Sequence, residues 1–146
     1  MRKKKVLFVC IHNSARSVMA EAFVNLFCGD VYEAQSAGLS PGTLNPLVRE
    51  VMAEIDIDVS GHHPQAAFDV VKSGQIFTHV VTVCDEGAAE RCPIFPGVTK
   101  RLHWGFPDPS ALQGTHEEKL EATREIRDQI RERILHEFCP VNCLAT

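Results

Sequence analysis

Lys5-Val6-Leu7-Phe8-Val9-Cys10-Ile11-His12-Asn13-Ser14-Ala15-Arg16-Ser17 is the stretch on which the fold turns. Lys5 to Cys10 is a short, continuous apolar run without alternation, the pattern of a strand buried on both faces. From Ala15 to Phe27 the apolar residues recur at Val18, Met19, Ala22, Phe23 and Leu26, a helical spacing. A buried strand feeding a helix through a short loop is the opening unit of an α/β fold.

Outward from that unit the pattern repeats. Val31 to Ser36 reads as a second strand, with Ala37-Gly38 and Ser40-Pro41-Gly42 as loop. Asn45-Pro46 opens a helix, proline at its first turn, with Leu47, Val48, Val51, Met52 and Ile55 facing inward. Residues 65–73 read as a short helix, and His62-His63-Pro64 before them as a turn. His79 to Cys84 is a strand like the first and again ends in cysteine. Thr99 to His103 is a fourth strand, and Gly105 to Pro109, with two prolines, a loop. Thr115-His116-Glu117-Glu118 is a capping box. The last helix then runs to Phe138, with Leu120, Ile126, Ile130, Ile134, Leu135 and Phe138 inward. Alternating strands and helices predict a three-layer α/β/α, doubly wound fold around a mainly four-stranded parallel sheet. One domain over residues 1–146 is expected, with 138–146 as a carboxyl-terminal tail. Ligands of such sheets bind beyond the carboxyl ends of the strands, the edge that Cys10 and Cys84 share.

Composition narrows the function. A chain of 146 residues, 45% hydrophobic, is ordinary for a globular core. A net charge of −4 speaks against nucleic acid as partner. The basic run Arg2-Lys3-Lys4-Lys5 precedes an apolar stretch too short for an export signal or a membrane span. A cytoplasmic monomer without membrane contact is expected. The chain carries six cysteines, at 10, 28, 84, 92, 139 and 143, with no Cys-x2-Cys pair. Thiol chemistry is therefore expected, and a structural zinc site is not.

The loop Cys10-Ile11-His12-Asn13-Ser14-Ala15-Arg16 can turn its backbone N–H groups onto one point, and the following helix adds its positive end. Such a nest binds a tetrahedral anion and favours a thiolate at Cys10. Arg16 can grip two anion oxygens with its forked guanidinium. Ser17 can donate to the sulfur, and Asn13 tolerates the left-handed backbone a tight loop needs. Asp108-Pro109 lies in a loop. It is either a turn pair or the source of a proton for an oxygen leaving phosphorus or arsenic.

These features resemble the low-molecular-weight protein tyrosine phosphatase superfamily, and within it the thioredoxin-coupled arsenate reductases. The matching stretches are His12 to Ser17 with Met19-Ala20-Glu21, Ser36-Ala37-Gly38, Val81-Thr82-Val83-Cys84, Cys92-Pro93 and His103-Trp104-Gly105-Phe106 before Asp108-Pro109. The resemblance implies Cys10 as nucleophile, Arg16 as anion clamp, Asp108 as acid, and Cys84 and Cys92 as relay cysteines. It implies arsenate as substrate, a role in arsenic detoxification, and an external dithiol, thioredoxin, in place of a tightly bound cofactor. A weak monovalent-cation site would fall at Asn13, Glu21 and Ser36. Gln65 stands where relatives carry an Asp, so no metal is expected. Spacing departs too: seven residues separate Cys84 from Cys92 where relatives have six.

Electron count separates two readings of the same loop. Phosphate-ester hydrolysis moves no electrons to phosphorus, so one cysteine suffices. Reducing arsenic(V) to arsenic(III) takes two electrons, which two thiols supply by becoming a disulfide. In a regular helix Cys84 and Cys92 would stand about 12 Å apart at ~1.5 Å per residue. A disulfide needs Cα atoms about 4.4–6.8 Å apart, so the segment is expected to be looped or to unfold on oxidation. Trp104 is expected beneath the Asp108 loop, Cys28 in packing, and Cys139 and Cys143 in accessory roles. The alternatives are a small phosphatase acting on phosphotyrosine or a small phosphate ester, and a non-catalytic oxyanion or redox sensor.

Overall fold

The computed structural model describes residues 3–83 and 100–138. In chain order it contains β1 (Lys4–Cys10), α1 (Arg16–Phe27), β2 (Tyr32–Gly38), α2 (Pro46–Ala53), α3 (Ala67–Lys72), β3 (His79–Thr82), β4 (Lys100–His103), a 3-10 turn (Pro109–Ala111) and α4 (His116–Glu137). The four strands form one parallel sheet in the order β2-β1-β3-β4. Strand β1 therefore has a neighbour on each side, which is why Val6 to Cys10 are all buried.

Alternate residues of β1 serve opposite faces. Val6, Phe8 and Cys10 pack with Met19 and Phe23 of α1, Val51 and Met52 of α2, and Ile130 and Ile134 of α4. Leu7 and Val9 pack on the other side with Ala37, Ala67, Val70, Phe77 and Val80. Helices thus lie on both faces, as the three-layer expectation required. Each fully buried large side chain of this kind contributes about 1.5–3 kcal/mol through apolar surface removed from water.

Several boundaries differ from the expectation. Ala37 and Gly38, read as loop, continue β2, because the parallel ladder with β1 runs on to the pair Cys10–Gly38. On α1 the buried face runs through Arg16, Ser17, Met19, Ala20, Phe23 and Val24. Leu26, one of the helically spaced apolar residues, is exposed. Pro109 opens a 3-10 turn rather than lying in featureless loop. The capping box at Thr115 forms in both directions, Thr115 to the Glu118 N–H and Glu118 back to Thr115. Cys28, expected only to pack, is buried and also disulfide-bonded. The expectations for Cys84, Cys92, Cys139 and Cys143 fall outside the described residues.

Candidate active site

The loop between β1 and α1 is built so that its carbonyls face away from its centre. Leu39 N–H donates to Cys10 O (3.0 Å), Ser40 to Ile11 O (2.7 Å), Gly42 to His12 O (2.9 Å) and Asn45 to Ser14 O (2.9 Å). The segment after β2 therefore holds the loop by its acceptors, which leaves N–H groups for an anion. Approach is close: a Cβ on Gly38 would stand 2.8 Å from Asn13 N and 2.9 Å from Ile11 O. Only glycine fits there. Asn13 takes the left-handed backbone, φ 52°. Helix α1 begins with Ala15 as N-cap, without a side-chain cap and without an acidic residue in its first turn. Its first N–H groups remain available to an oxyanion.

Cys10 lies at the bottom of this cradle, 3% exposed, and is a free cysteine. Its Sγ accepts from Asn13 N–H (3.2 Å) and lies 2.9 Å from Ser17 Oγ. The direction of that second bond follows from the neighbours. Gln65 N–H donates to Asn13 Oδ1 (3.0 Å), which fixes the side-chain amide. Asn13 Nδ2 then donates to Ser17 Oγ (2.9 Å), leaving the hydroxyl proton for the sulfur. Two donors are therefore aimed at one sulfur.

His62 completes this relay. Its Nε2 donates to Asn13 Oδ1 (3.2 Å), and its Nδ1 faces Glu21 Oε2 at 4.0 Å. Burial pushes the imidazole below its ordinary value of 6.5; the Asn13 bond opposes this and the charge of His63 adds to it. Burial also raises Glu21 above its usual carboxylate range, against the Ser36 hydrogen bonds. From the sequence His62 reads as a turn residue. Its partner is 49 residues away, and no local pattern announces such a contact.

The cation trio does come together, but as a hydrogen-bonded set. Ser36 Oγ donates to Glu21 Oε1 (2.8 Å), Asn13 Oδ1 takes two donors, and Gln65 Nε2 donates to Ser36 O (2.9 Å). Among the described residues no group of three His, Cys, Asp or Glu could hold a metal ion.

Arg16 joins the cradle to the acid loop. Its guanidinium is buried, donates to Phe106 O (3.0 Å), and lies 3.7 Å from Asp108 Oδ2. Asp108 is partly exposed, and its Oδ1 accepts from Ser110 N–H (2.9 Å). Trp104, 3% exposed, packs between Phe8 and Phe138 with Arg133 over its ring. Strand β3 reaches the same edge: Val83 N–H donates to Val9 O (2.9 Å). Cys84 follows in sequence, outside the described residues.

Residues 5–139 match the family model described as low molecular weight phosphotyrosine protein phosphatase. The chain belongs to that family. It is 39% identical over 135 residues to an arsenate reductase of Oceanobacillus iheyensis, covering 92% of this chain and 94% of that one. A solved structure of an arsenate reductase in the oxidized state superposes with a TM-score of 0.75 at 28% identity, over 91% of this chain and 95% of the other. A thioredoxin-dependent arsenate reductase of Corynebacterium glutamicum gives 0.63 at 29%, over 90% of this chain and 60% of that one. No described helix is long and apolar enough to cross a membrane.

Proposed function

We propose that this protein reduces arsenate to arsenite with its own thiols and that an external dithiol of the thioredoxin type regenerates it. The observation that carries the reading is Cys10 Sγ under two donors at the base of an anion cradle, with Arg16 and Asp108 facing the same space. The relatives named above supply the choice of arsenate.

The Cys10 thiolate attacks arsenic(V) held by the loop amides and Arg16. Asp108 protonates the departing oxygen, leaving a Cys10 S–As bond. A second thiolate, Cys84, attacks the Cys10 sulfur. The S–S bond forms, the S–As bond breaks, and its electron pair stays on arsenic as arsenite. Cys92 then attacks Cys84 and frees Cys10, and the dithiol partner reduces the Cys84–Cys92 disulfide. Arsenic gains two electrons and two thiols lose them.

Phosphate-ester hydrolysis is the second reading, because Cys10, Arg16 and Asp108 would serve it equally. Arsenate-dependent NADPH oxidation, coupled through thioredoxin and its reductase, separates the two. Turnover should vanish in Cys10→Ser, Cys84→Ser and Cys92→Ser alike. Full turnover in Cys84→Ser would sink the relay. Aryl phosphate hydrolysis lost only in Cys10→Ser would mark a phosphatase.

A further inference from the structure

The anion loop and the acid loop are joined by one side chain that the mechanism above does not use. Asn45 is the residue before α2. Its backbone N–H donates to Ser14 O of the anion loop (2.9 Å). Its side-chain Oδ1 accepts from Leu47 N–H (2.8 Å) and caps α2. That leaves Nδ2, which donates to Ser110 Oγ of the acid loop (3.0 Å). Ser110 in turn gives its backbone N–H to Asp108 Oδ1 (2.9 Å). A continuous path therefore runs from the wall of the cradle, through Asn45 and Ser110, to the carboxyl that faces Arg16.

We infer that Asn45 is a positioning residue that sets the height of the Asp108 carboxyl over the anion loop, acting through Ser110. The inference rests on Asp108 being the proton donor. Three features support it. All four hydrogen-bonding groups of Asn45 are engaged, and they reach three elements: the backbone N–H the anion loop, the carbonyl and Oδ1 the first turn of α2, and Nδ2 the acid loop. Both ends of the tether are stiff, since Pro46 follows Asn45 and Pro109 precedes Ser110. A hydrogen bond between two proline-restrained segments needs little further ordering to form. Finally, Asp108 is otherwise held toward the cradle by the 3.7 Å contact with Arg16. Arg16 must turn its donors to the oxyanion during catalysis, so the acid needs a second anchor that does not move with the substrate. Asn45 provides one that is fixed to the loop's own backbone.

The role can be separated from helix capping. Ser at position 45 still caps α2 but is too short to reach Ser110. Ala at position 110 removes the hydroxyl and keeps the backbone bond to Asp108. Thr at position 110 keeps both. The readout is rapid-quench measurement of arsenite formed in the first turnover, at saturating and at limiting arsenate, with melting temperature alongside. Asn45→Ser and Ser110→Ala should each slow the first turnover by about 3- to 30-fold, as expected for a reacting group displaced by a fraction of an ångström. Half-saturating arsenate should change less than about twofold, because the cradle is untouched. Ser110→Thr should restore the rate.

The deciding experiment is the pair of double variants with Asp108→Asn. In that background neither Asn45→Ser nor Ser110→Ala should slow the reaction further, since there is no acid left to position. An equal slowing in both backgrounds would mean that the side chain acts on the anion loop, and would overturn the inference. So would wild-type rates in both single variants. A wild-type rate in Asp108→Asn alone is a different failure: it removes the proton-donor reading itself, and the tether with it.

Discussion

The anion loop and the acid loop face one another across the same few ångströms, yet they are held in opposite ways. The anion loop is fixed at nearly every residue: four carbonyls are taken by the 39–45 segment, the Asn13 amide by Gln65 and His62, and Gly38 fills the floor. Asn13 and Ser17 are fully buried and Cys10 and Arg16 nearly so. The acid loop carries a partly exposed carboxylate, one 3-10 turn and a few long-range contacts. The contrast fits the work proposed for each. Binding a doubly charged oxyanion depends on dipoles that are already oriented and need no reorganisation. Giving up a proton needs a group that meets the leaving oxygen and solvent in turn.

Arg16 belongs to both regions, so changing it should give the largest effect. Lysine keeps the charge but loses the fork, and with it the simultaneous reach to an anion and to Phe106 O. One charge-assisted hydrogen bond is worth about 1.5–3 kcal/mol. Arg16→Lys should therefore lower kcat/KM for arsenate roughly 10- to 150-fold. Steady-state kinetics check it, and a loss below threefold would show that the fork does not bridge the two loops.

Gly38→Ala tests the rigid region alone. The new methyl would press on Asn13 N and Ile11 O at under 3 Å, and both are backbone atoms inside a hydrogen-bonded frame. Overpacking of this kind costs about 1–3 kcal/mol, a fall in Tm of about 3–12 °C for a chain of this size. Thermal unfolding with and without saturating oxyanion reads it. Trp104 packs with Phe8, Phe138 and Arg133, so its fluorescence in the folded variant should match the parent.

The two regions were also unequally legible in the sequence. The cradle is written locally: strand, loop and helix follow one another within Lys4 to Phe27, and the left-handed Asn13 needed only its residue type and place. The capping box that starts α4 was equally local. What supports these elements is not. Gln65 and His62 meet Asn13 across 52 and 49 residues, and Asn45 meets Ser110 across 65. A hydrogen bond between distant segments leaves no periodicity, so His62 reads as a turn residue, Asn45 as the opening of a helix and Gln65 as the start of a short one. Ala37 and Gly38 depart from the loop pattern for a related reason. A glycine beside a serine–proline–glycine stretch signals loop, but ladder pairing with β1 and the nearness of the anion loop decide the matter. Cys84 and Cys92 lie outside the described residues, so their reading as relay cysteines rests on electron count and resemblance.

The smallest expected effect concerns the proton on His62, which supports the rigid region from behind. Burial depresses its folded value below 6.5, so folding favours the neutral ring. Just below pH 6.5 the unfolded chain then binds more protons than the folded one, and stability falls as pH falls. The contribution is complete above the unfolded value and is lost as pH drops through the folded one. Glu21, raised above 4.5 by burial, works the other way: its contribution is complete below pH 4.5 and is lost as pH rises through its folded value. His62 Nδ1 and Glu21 Oε2 stand 4.0 Å apart, and at the ring desolvation is the largest influence. His62→Gln keeps a donor that can reach Asn13 Oδ1 and removes the titration. Between pH 7 and 5.5 the wild type should lose about 1–3 °C more in Tm than the variant. His79, also depressed by burial, is common to both proteins and cancels in the difference. Parallel melting curves for the two proteins across that window would mean that the support behind Asn13 is indifferent to the proton, and that the rigidity of the cradle comes from Gln65 and the 39–45 segment alone.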